Sequence, residues 1–146
     1  MTLVRFLGVP VTTFIELQSE LDALQREVHL STLGEGAGPM ADDVVRGIVI
    51  QREAMVDVRT TLHEQTLAAR AAGLAVADIE ADYPDGARAR VMAVMDASRR
   101  ANDAATAGQL LTPPLRPALR HFQDWMYRQV ERQLEGGPPS PYVPPS

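Results

Sequence analysis

The sequence predicts an all-α protein, an antiparallel up-down-up-down four-helix bundle with an extended N-terminal arm and a Pro-rich C-terminal tail. Three observations support this fold class. Apolar residues recur at spacings of three and four along several segments, which places them on one side of a helix. Glycine and proline stand at the ends of those segments, where helices stop. Most connections are short, so successive helices are expected to pack antiparallel.

The composition limits both architecture and function. A chain of 146 residues is long enough for one domain with a hydrophobic core, and the absence of cysteine excludes disulfides, thiolate metal sites and a cysteine nucleophile. No apolar run approaches the roughly 20 residues that span a bilayer, and the N-terminus lacks the cleavage site of a signal peptide. With a net charge of −5, attraction to nucleic acid is not expected. We therefore expect a cytoplasmic protein that binds neither a membrane nor nucleic acid.

Residues 1–11 alternate loosely between apolar and polar side chains and could form a short strand. A single strand has no sheet to join in a helical chain. We therefore interpret this segment as an extended arm that packs on the bundle and ends at Pro10. The alternative is that the arm adds a strand to the sheet edge of a partner protein.

The first helix is predicted at about 13–33. Thr13 occupies the position of an N-cap and Glu16 follows three residues later, which is the pattern of a capping box. Gly34 and Gly36 provide the stop. The apolar side of this helix consists of Phe14, Leu17, Leu21, Leu24 and Val28.

The second helix is predicted at about 40–72, with Gly73 as its stop. At about 1.5 Å per residue it would be clearly longer than the first helix. It therefore either projects beyond the bundle or bends, and Gly47 is its weakest interior position. An exposed part of this helix is a candidate surface for a homodimer.

Residues 74–85 form the long connection, in which acidic side chains alternate with apolar ones. Asp78, Glu80, Asp82 and Asp85 form an acidic run before Gly86 that resembles a calcium loop. The segment lacks the Gly at the sixth position and the bidentate Glu at the twelfth that such a loop requires. We therefore interpret it as a solvated acidic connection that crosses the end of the bundle.

The third helix is predicted at about 86–107 and has a thin face of small residues, and the fourth is predicted at about 114–135. Residues 1–137 would then form the bundle. Residues 138–146 would form an extended Pro-rich tail. The tail contains a PxxP match, but such short matches are common by chance. A disordered or surface-laid end is therefore the preferred interpretation.

The sequence contains no catalytic constellation. It lacks a Gly-rich phosphate loop, a nucleophile elbow and the two-histidine helix motif of zinc proteases. His29 and His121 could lie at the same level of the bundle, but His63 would lie near its opposite end, which argues against a three-histidine metal site. We therefore predict a non-enzymatic protein without a catalytic residue, a metal site or a bound cofactor.

The fourth helix carries the predicted partner-binding residues. Arg116, Arg120, Arg128 and Arg132 recur at multiples of four and form an outer stripe, hereafter the arginine stripe. This stripe could dock an acidic protein surface. The alternative is a solvated face on which Asp124 pairs with Arg120 and Arg128 at i, i+4 spacing. All 14 basic residues are arginine, a bias of GC-rich coding, so the residue type alone does not indicate bidentate recognition.

Two further hypotheses concern the interior of the bundle and its self-association. Met55, Met95, Trp125 and Met126 could surround a pocket for an apolar ligand or a cofactor, although inward methionine is more often ordinary core filling. Such a protein would act as a sensor. Alternatively, the chain would be a self-assembling structural homo-oligomer.

Two segments resemble a known group of proteins. They are FLGVPVTTFIELQSELDALQREVHL near the start and LLTPPLRPALRHFQDWMYRQVERQLEGGPPSPY near the end. Both are similar to small all-helical actinobacterial proteins associated with partner-switching regulation, alongside anti-sigma-factor kinases and STAS-domain antagonists. The resemblance implies a regulatory module that docks onto a protein partner, such as an anti-sigma factor or a STAS-domain protein. It identifies no catalytic or binding residue.

Overall fold

The computed structural model describes residues 1–33, residue 53 and residues 55–146. The glycine stop of the first predicted helix, Gly47 and most of the first half of the second predicted helix lie outside the described residues. The described elements are β1 Thr2–Pro10, α1 Val11–Leu33, α2 Val56–Ala71, β2 Val76–Tyr83, α3 Ala87–Thr106 and α4 Pro117–Leu134.

The prediction of an all-α bundle is wrong, because β1 and β2 pair to form a two-stranded antiparallel sheet. The protein is therefore a mixed α/β fold. The segment predicted as an arm is β1, and the segment predicted as an acidic connection contains β2. The register joins Thr2 to Tyr83 and Pro10 to Val76. Each strand thus has its partner far away in the sequence, where a search for local patterns does not reveal it.

One face of the sheet packs on the core and the other is exposed. Side chains alternate between the two faces of a strand. The inward side chains are those of Val4, Phe6, Val9, Ile79, Ala81 and Tyr83, which are all buried. The acidic residues Asp78, Glu80 and Asp82 occupy the alternate, exposed positions of β2. Their spacing therefore reflects the two-residue period of a strand rather than a solvated connection or a calcium loop.

A β-bulge at Leu7 and Gly8 keeps the apolar side chains of β1 on the buried face of the sheet. Phe6 pairs with Ile79 and Val9 pairs with Ala77, so β1 contains one residue more than β2 over this interval. Gly8 has a φ of +70°, in the left-handed region that glycine adopts readily. Its N–H donates to the Asp78 carboxylate at 2.8 Å. The extra residue returns Val9 to the buried face.

α1 begins at Val11, directly after the strand, and not at a capping box around Thr13. The Val11 N–H donates to the Ala75 carbonyl at 3.0 Å. The Glu16 carboxylate, which the sequence assigns to the capping box, instead accepts a hydrogen bond of 2.8 Å from the Arg116 side chain. The first residue of α1 is therefore hydrogen-bonded to the segment that connects α2 to β2.

The C-terminal tail lies on α4 and on the edge of β1. The Tyr142 ring contacts Phe122 and Trp125 with ring centroids 5.2 Å and 5.1 Å away. The Tyr142 N–H donates to the Leu7 carbonyl at 3.0 Å. The tail thus covers part of the outer edge of β1 and extends the aromatic cluster of the core.

Candidate functional site

A cavity of about 160 Å³ lies between the sheet and the described helices, hereafter the core cavity. Both strands and all of the described helices contribute to its wall, together with Met55 directly before α2. Its apolar lining consists of Phe6, Phe14, Leu17, Leu21, Leu24, Met55, Val58, Leu62, Val91, Val94, Met126 and Val130. Its polar lining consists of Gln18, Arg59, Tyr83, Ser98, Gln123 and Tyr127.

Helical spacing explains how α1 and α4 line the core cavity. The apolar side of α1 that the sequence predicts faces the cavity from Phe14 to Leu24. One side of α4 contributes residues at spacings of i, i+3, i+4 and i+7, namely Gln123, Met126, Tyr127 and Val130. The cavity therefore forms where two apolar helix faces meet the buried face of the sheet.

Two of the four residues predicted around a pocket line the core cavity. Met55 and Met126 belong to its wall, whereas Met95 and Trp125 do not. Trp125 is buried in the neighbouring aromatic cluster, stacked on Phe122 at a centroid distance of 5.7 Å. Its indole N–H has no hydrogen-bond partner among the described residues.

Three polar side chains of the wall form a connected cluster between α3 and α4. The Tyr127 hydroxyl lies 3.2 Å from the Ser98 hydroxyl. It also accepts a hydrogen bond of 3.3 Å from the Gln123 amide. The cluster gives an otherwise apolar cavity a polar corner, which is the arrangement that orients a ligand in small-molecule sites.

Tyr83, at the end of β2, adds a further hydroxyl to the wall. The residue is only 5% exposed. Burial, together with the neighbouring Tyr127, raises the pKa of Tyr83 far above its ordinary value. The Tyr83 side chain is therefore a neutral phenol, able to donate a hydrogen bond, over the whole physiological pH range.

The arginine stripe divides into paired and unpaired members. Arg116 binds the Glu16 carboxylate, and Arg132 donates to the Ser140 hydroxyl at 3.1 Å. Arg120 and Arg128 are exposed, and the side chain of neither forms a hydrogen bond or an ion pair with a described residue. The expected pairs of Arg120 and Arg128 with Asp124 are absent from the described part of the chain.

Other charges near the arginine stripe are used within the protein. Glu131 and Glu135 of α4 pair with Arg88 of α3. The Arg116 hydrogen bond lowers the pKa of Glu16 below its ordinary value, an effect that slight burial opposes and the guanidinium charge reinforces. Within the described residues, Arg116 is thus the stripe member that has a carboxylate partner, and Arg120 and Arg128 are the members whose side chains have no partner at all.

His63 and His121 are the histidines whose side chains the structure describes, and no metal-binding group among the described residues includes either of them. The side chain of His29 lies outside the described residues. The His121 ring packs on the Tyr142 ring, and its Nε2 lies 3.1 Å from the Val143 carbonyl. Within residues 1–33, 53 and 55–146, no group of three acidic or histidine side chains is arranged to hold a metal ion.

The sequence pattern did not predict the polar residues in the wall of the core cavity. Tyr83 occupies an inward position of β2, so recognising the alternation of residues 76–83 as a strand would have found it. Ser98, Gln123 and Tyr127 meet only because α3 packs against α4. No local signal in the sequence marks that cluster.

The described helices include none with both the length and the apolarity needed to cross a lipid bilayer. Comparisons of the chain with protein-family models, with curated proteins and with solved structures find no match.

Proposed function

We infer that the protein is a non-enzymatic regulatory module that binds a small apolar molecule in the core cavity and docks onto a protein partner. One observation carries this proposal, namely an apolar cavity of about 160 Å³ with a few converging polar groups. The resemblance of the two terminal segments to partner-switching regulators supports a role in bacterial signalling, within an anti-sigma pathway in the cytoplasm.

The volume of the core cavity limits the size of the ligand. An engineered protein cavity of roughly 150 Å³ binds benzene. The core cavity has a similar volume, about 160 Å³. A molecule of about six to nine non-hydrogen atoms, such as a single ring with a short substituent, therefore fits without expansion of the core.

α4 provides a physical link between the ligand and the partner. Its inward side lines the core cavity with Met126 and Tyr127, and its outward side carries the exposed Arg120 and Arg128. A ligand that binds better to one position of α4 shifts the protein toward that position. Docking of an acidic partner surface on the outward side then responds to the ligand.

A titration with toluene tests the ligand-binding part of this proposal. We expect saturable chemical-shift changes in the methyl groups that line the core cavity, followed by ¹H–¹³C NMR, and a rise in melting temperature. Val94→Phe fills the cavity and should weaken toluene binding at least about tenfold. Met92→Phe, on the same helix but exposed, is the matched control and should leave binding unchanged.

Two results would contradict the proposal. One is the absence of saturable shifts in the wild-type protein at millimolar toluene. The other is an equal loss of toluene binding in the Val94→Phe and Met92→Phe variants, since this would place the binding outside the core cavity. Circular dichroism spectra of both variants show whether they keep the wild-type fold.

A further inference from the structure

We propose that the ligand of the core cavity is an uncharged monocyclic molecule with one oxygen that accepts a hydrogen bond from the Tyr83 hydroxyl. This inference rests on the proposed function, because it names the chemical class of the ligand for the same cavity. It depends on the hydroxyl of a buried residue, Tyr83, for which no hydrogen bond is seen among the described residues, on the charge of the wall and on the volume of the cavity.

The first step concerns the Tyr83 hydroxyl. Tyr83 is 95% buried, being 5% exposed, and it lines the core cavity. None of the hydrogen bonds among the described residues involves its hydroxyl, whereas the hydroxyl of Tyr127 is hydrogen-bonded on the same wall. Buried polar groups in native proteins are nearly always satisfied. An acceptor atom inside the cavity is therefore expected opposite Tyr83.

The second step concerns the direction of the hydrogen bond. Burial raises the pKa of Tyr83, so that the side chain stays a phenol at physiological pH and offers one O–H. A ligand that satisfies this O–H supplies an acceptor atom. A carbonyl, ether or hydroxyl oxygen has this property, and a hydrocarbon does not.

The third step concerns the charge of the ligand. Most of the wall is aliphatic or aromatic, and an anion buried there loses its hydration. Arg59 is the cationic side chain among the described wall residues; it takes part in another interaction, while its buried Nε has no hydrogen-bond partner among the described residues. Because the rest of the wall is uncharged, we expect a neutral oxygen rather than a carboxylate, and the comparison of neutral and charged probes below tests this expectation.

The experiment compares three probes in the full chain, two neutral rings of equal size and one slightly larger carboxylate. Cyclohexanone carries one acceptor oxygen, methylenecyclohexane has the same shape without the oxygen, and cyclohexanecarboxylate carries a charge. Each is titrated into the wild-type protein, Tyr83→Phe and Tyr142→Phe, with methyl NMR as the readout. Tyr142→Phe is the matched control, because Tyr142 lies in the tail and is not part of the wall.

We expect Tyr83→Phe to weaken cyclohexanone binding about three- to tenfold, the range of one hydrogen bond. It should leave methylenecyclohexane binding unchanged, and Tyr142→Phe should change neither. Cyclohexanecarboxylate should bind more weakly than cyclohexanone. Tyr83→Phe removes no hydrogen bond seen within the described residues, so this variant should fold and melt like the wild type.

The possible failures are distinguishable. If Tyr83→Phe weakens both neutral probes equally, weakens neither, or if cyclohexanecarboxylate binds best, the ligand class is wrong while binding in the core cavity stands. If none of the three probes shifts the methyl groups of the cavity wall while toluene does, the ligand class is wrong and the proposed function stands; if toluene also causes no shifts, both fail.

Discussion

Gln133 of α4 holds the backbone of Arg5 in β1 through two hydrogen bonds, accepting from the Arg5 N–H at 2.8 Å and donating to its carbonyl at 2.7 Å. Gln65 of α2 binds Glu80 in the same way on the opposite edge of the sheet, with both bonds at 2.8 Å. Arg5 and Glu80 pair across the sheet, and their side chains form an ion pair of 3.1 Å. At this residue pair, two glutamines therefore cap the outward N–H and C=O groups on both edges of the sheet. Such groups, when left unpaired, can pair with a strand of another chain.

These two caps should differ in their contribution to stability. Gln133 is buried, so Gln133→Leu leaves partly buried backbone groups of Arg5 without partners and should lower the free energy of unfolding by about 2 kcal/mol. Gln65→Leu should lower it by less than about 1 kcal/mol, because water can reach the exposed backbone of Glu80. Urea unfolding followed by circular dichroism measures both. Equal losses of stability in the two variants would show that burial does not determine how much each glutamine contributes.

The C-terminal tail should stabilise the aromatic cluster. Tyr142→Ala removes ring contacts with Phe122 and Trp125 and should lower the free energy of unfolding by about 1–3 kcal/mol. The emission of Trp125, the single tryptophan of the chain, should shift to longer wavelength in the folded variant. Tyr142→Phe keeps the ring and is the control. An unchanged emission maximum in Tyr142→Ala would mean that the tail does not shield the indole in solution.

Glu27 of α1 should make stability depend on pH. Its carboxylate accepts hydrogen bonds from the N–H groups of Leu111, at 2.8 Å, and of Thr112. Burial alone would raise the pKa of Glu27, but these hydrogen bonds outweigh it and hold the pKa below the ordinary value of 4.5. A folded-state pKa below the unfolded value stabilises the fold above the unfolded pKa, and this contribution is lost as the pH falls through the folded pKa.

Glu27→Gln should therefore destabilise the protein at neutral pH and have little effect once the pH is below the folded pKa of Glu27. Urea unfolding at several pH values between about 3 and 7 measures the difference from the wild type. Glu64→Gln, at an exposed position of α2, is the control. A difference between wild type and Glu27→Gln that stays constant over this pH range would contradict the prediction.

The β-bulge should require glycine at position 8. Gly8→Ala should lower the free energy of unfolding by about 1–2 kcal/mol, because a φ of +70° is unfavourable for a residue with a Cβ. An added Cβ would lie 3.7 Å from the Tyr142 nitrogen, an ordinary contact, so the cost is conformational and not steric. Gly8→Asn should cost less, since asparagine adopts positive φ more readily. Thermal unfolding measures the ranking, and a neutral Gly8→Ala would contradict it.

The unpaired members of the arginine stripe should contribute most to docking. The double variant Arg120→Gln, Arg128→Gln should retain about three- to tenfold less of the protein partner in a pull-down from host extract, quantified by mass spectrometry. The double variant Arg90→Gln, Arg99→Gln removes two exposed charges from α3 and is the control. Equal retention by both double variants would exclude the stripe as a docking surface.

The absence of a second strand in the sequence prediction has a definite physical cause. The alternation around Ile79 and Tyr83 has the two-residue period of a strand, but three acidic residues at the alternate positions resemble a loop. β1 shows the same ambiguity. A strand is stabilised by its partner, so neither segment identifies itself alone, and a pairing such as Phe6 with Ile79 appears only in three dimensions.

The sequence by itself determined the properties that depend on local spacing. The three- and four-residue period of apolar side chains predicts helices in the segments that contain α1, α3 and α4, and Gly108 and Gly136 follow the ends of α3 and α4. The absence of cysteine depends on composition alone, and the absence of catalytic motifs depends on the local order of residues. Only the tertiary structure decided which segments pair and what encloses the core cavity. Tyr83 and Tyr127 share one wall because a strand and a helix distant in the chain pack on the same core, and such long-range packing leaves no local signature in the sequence.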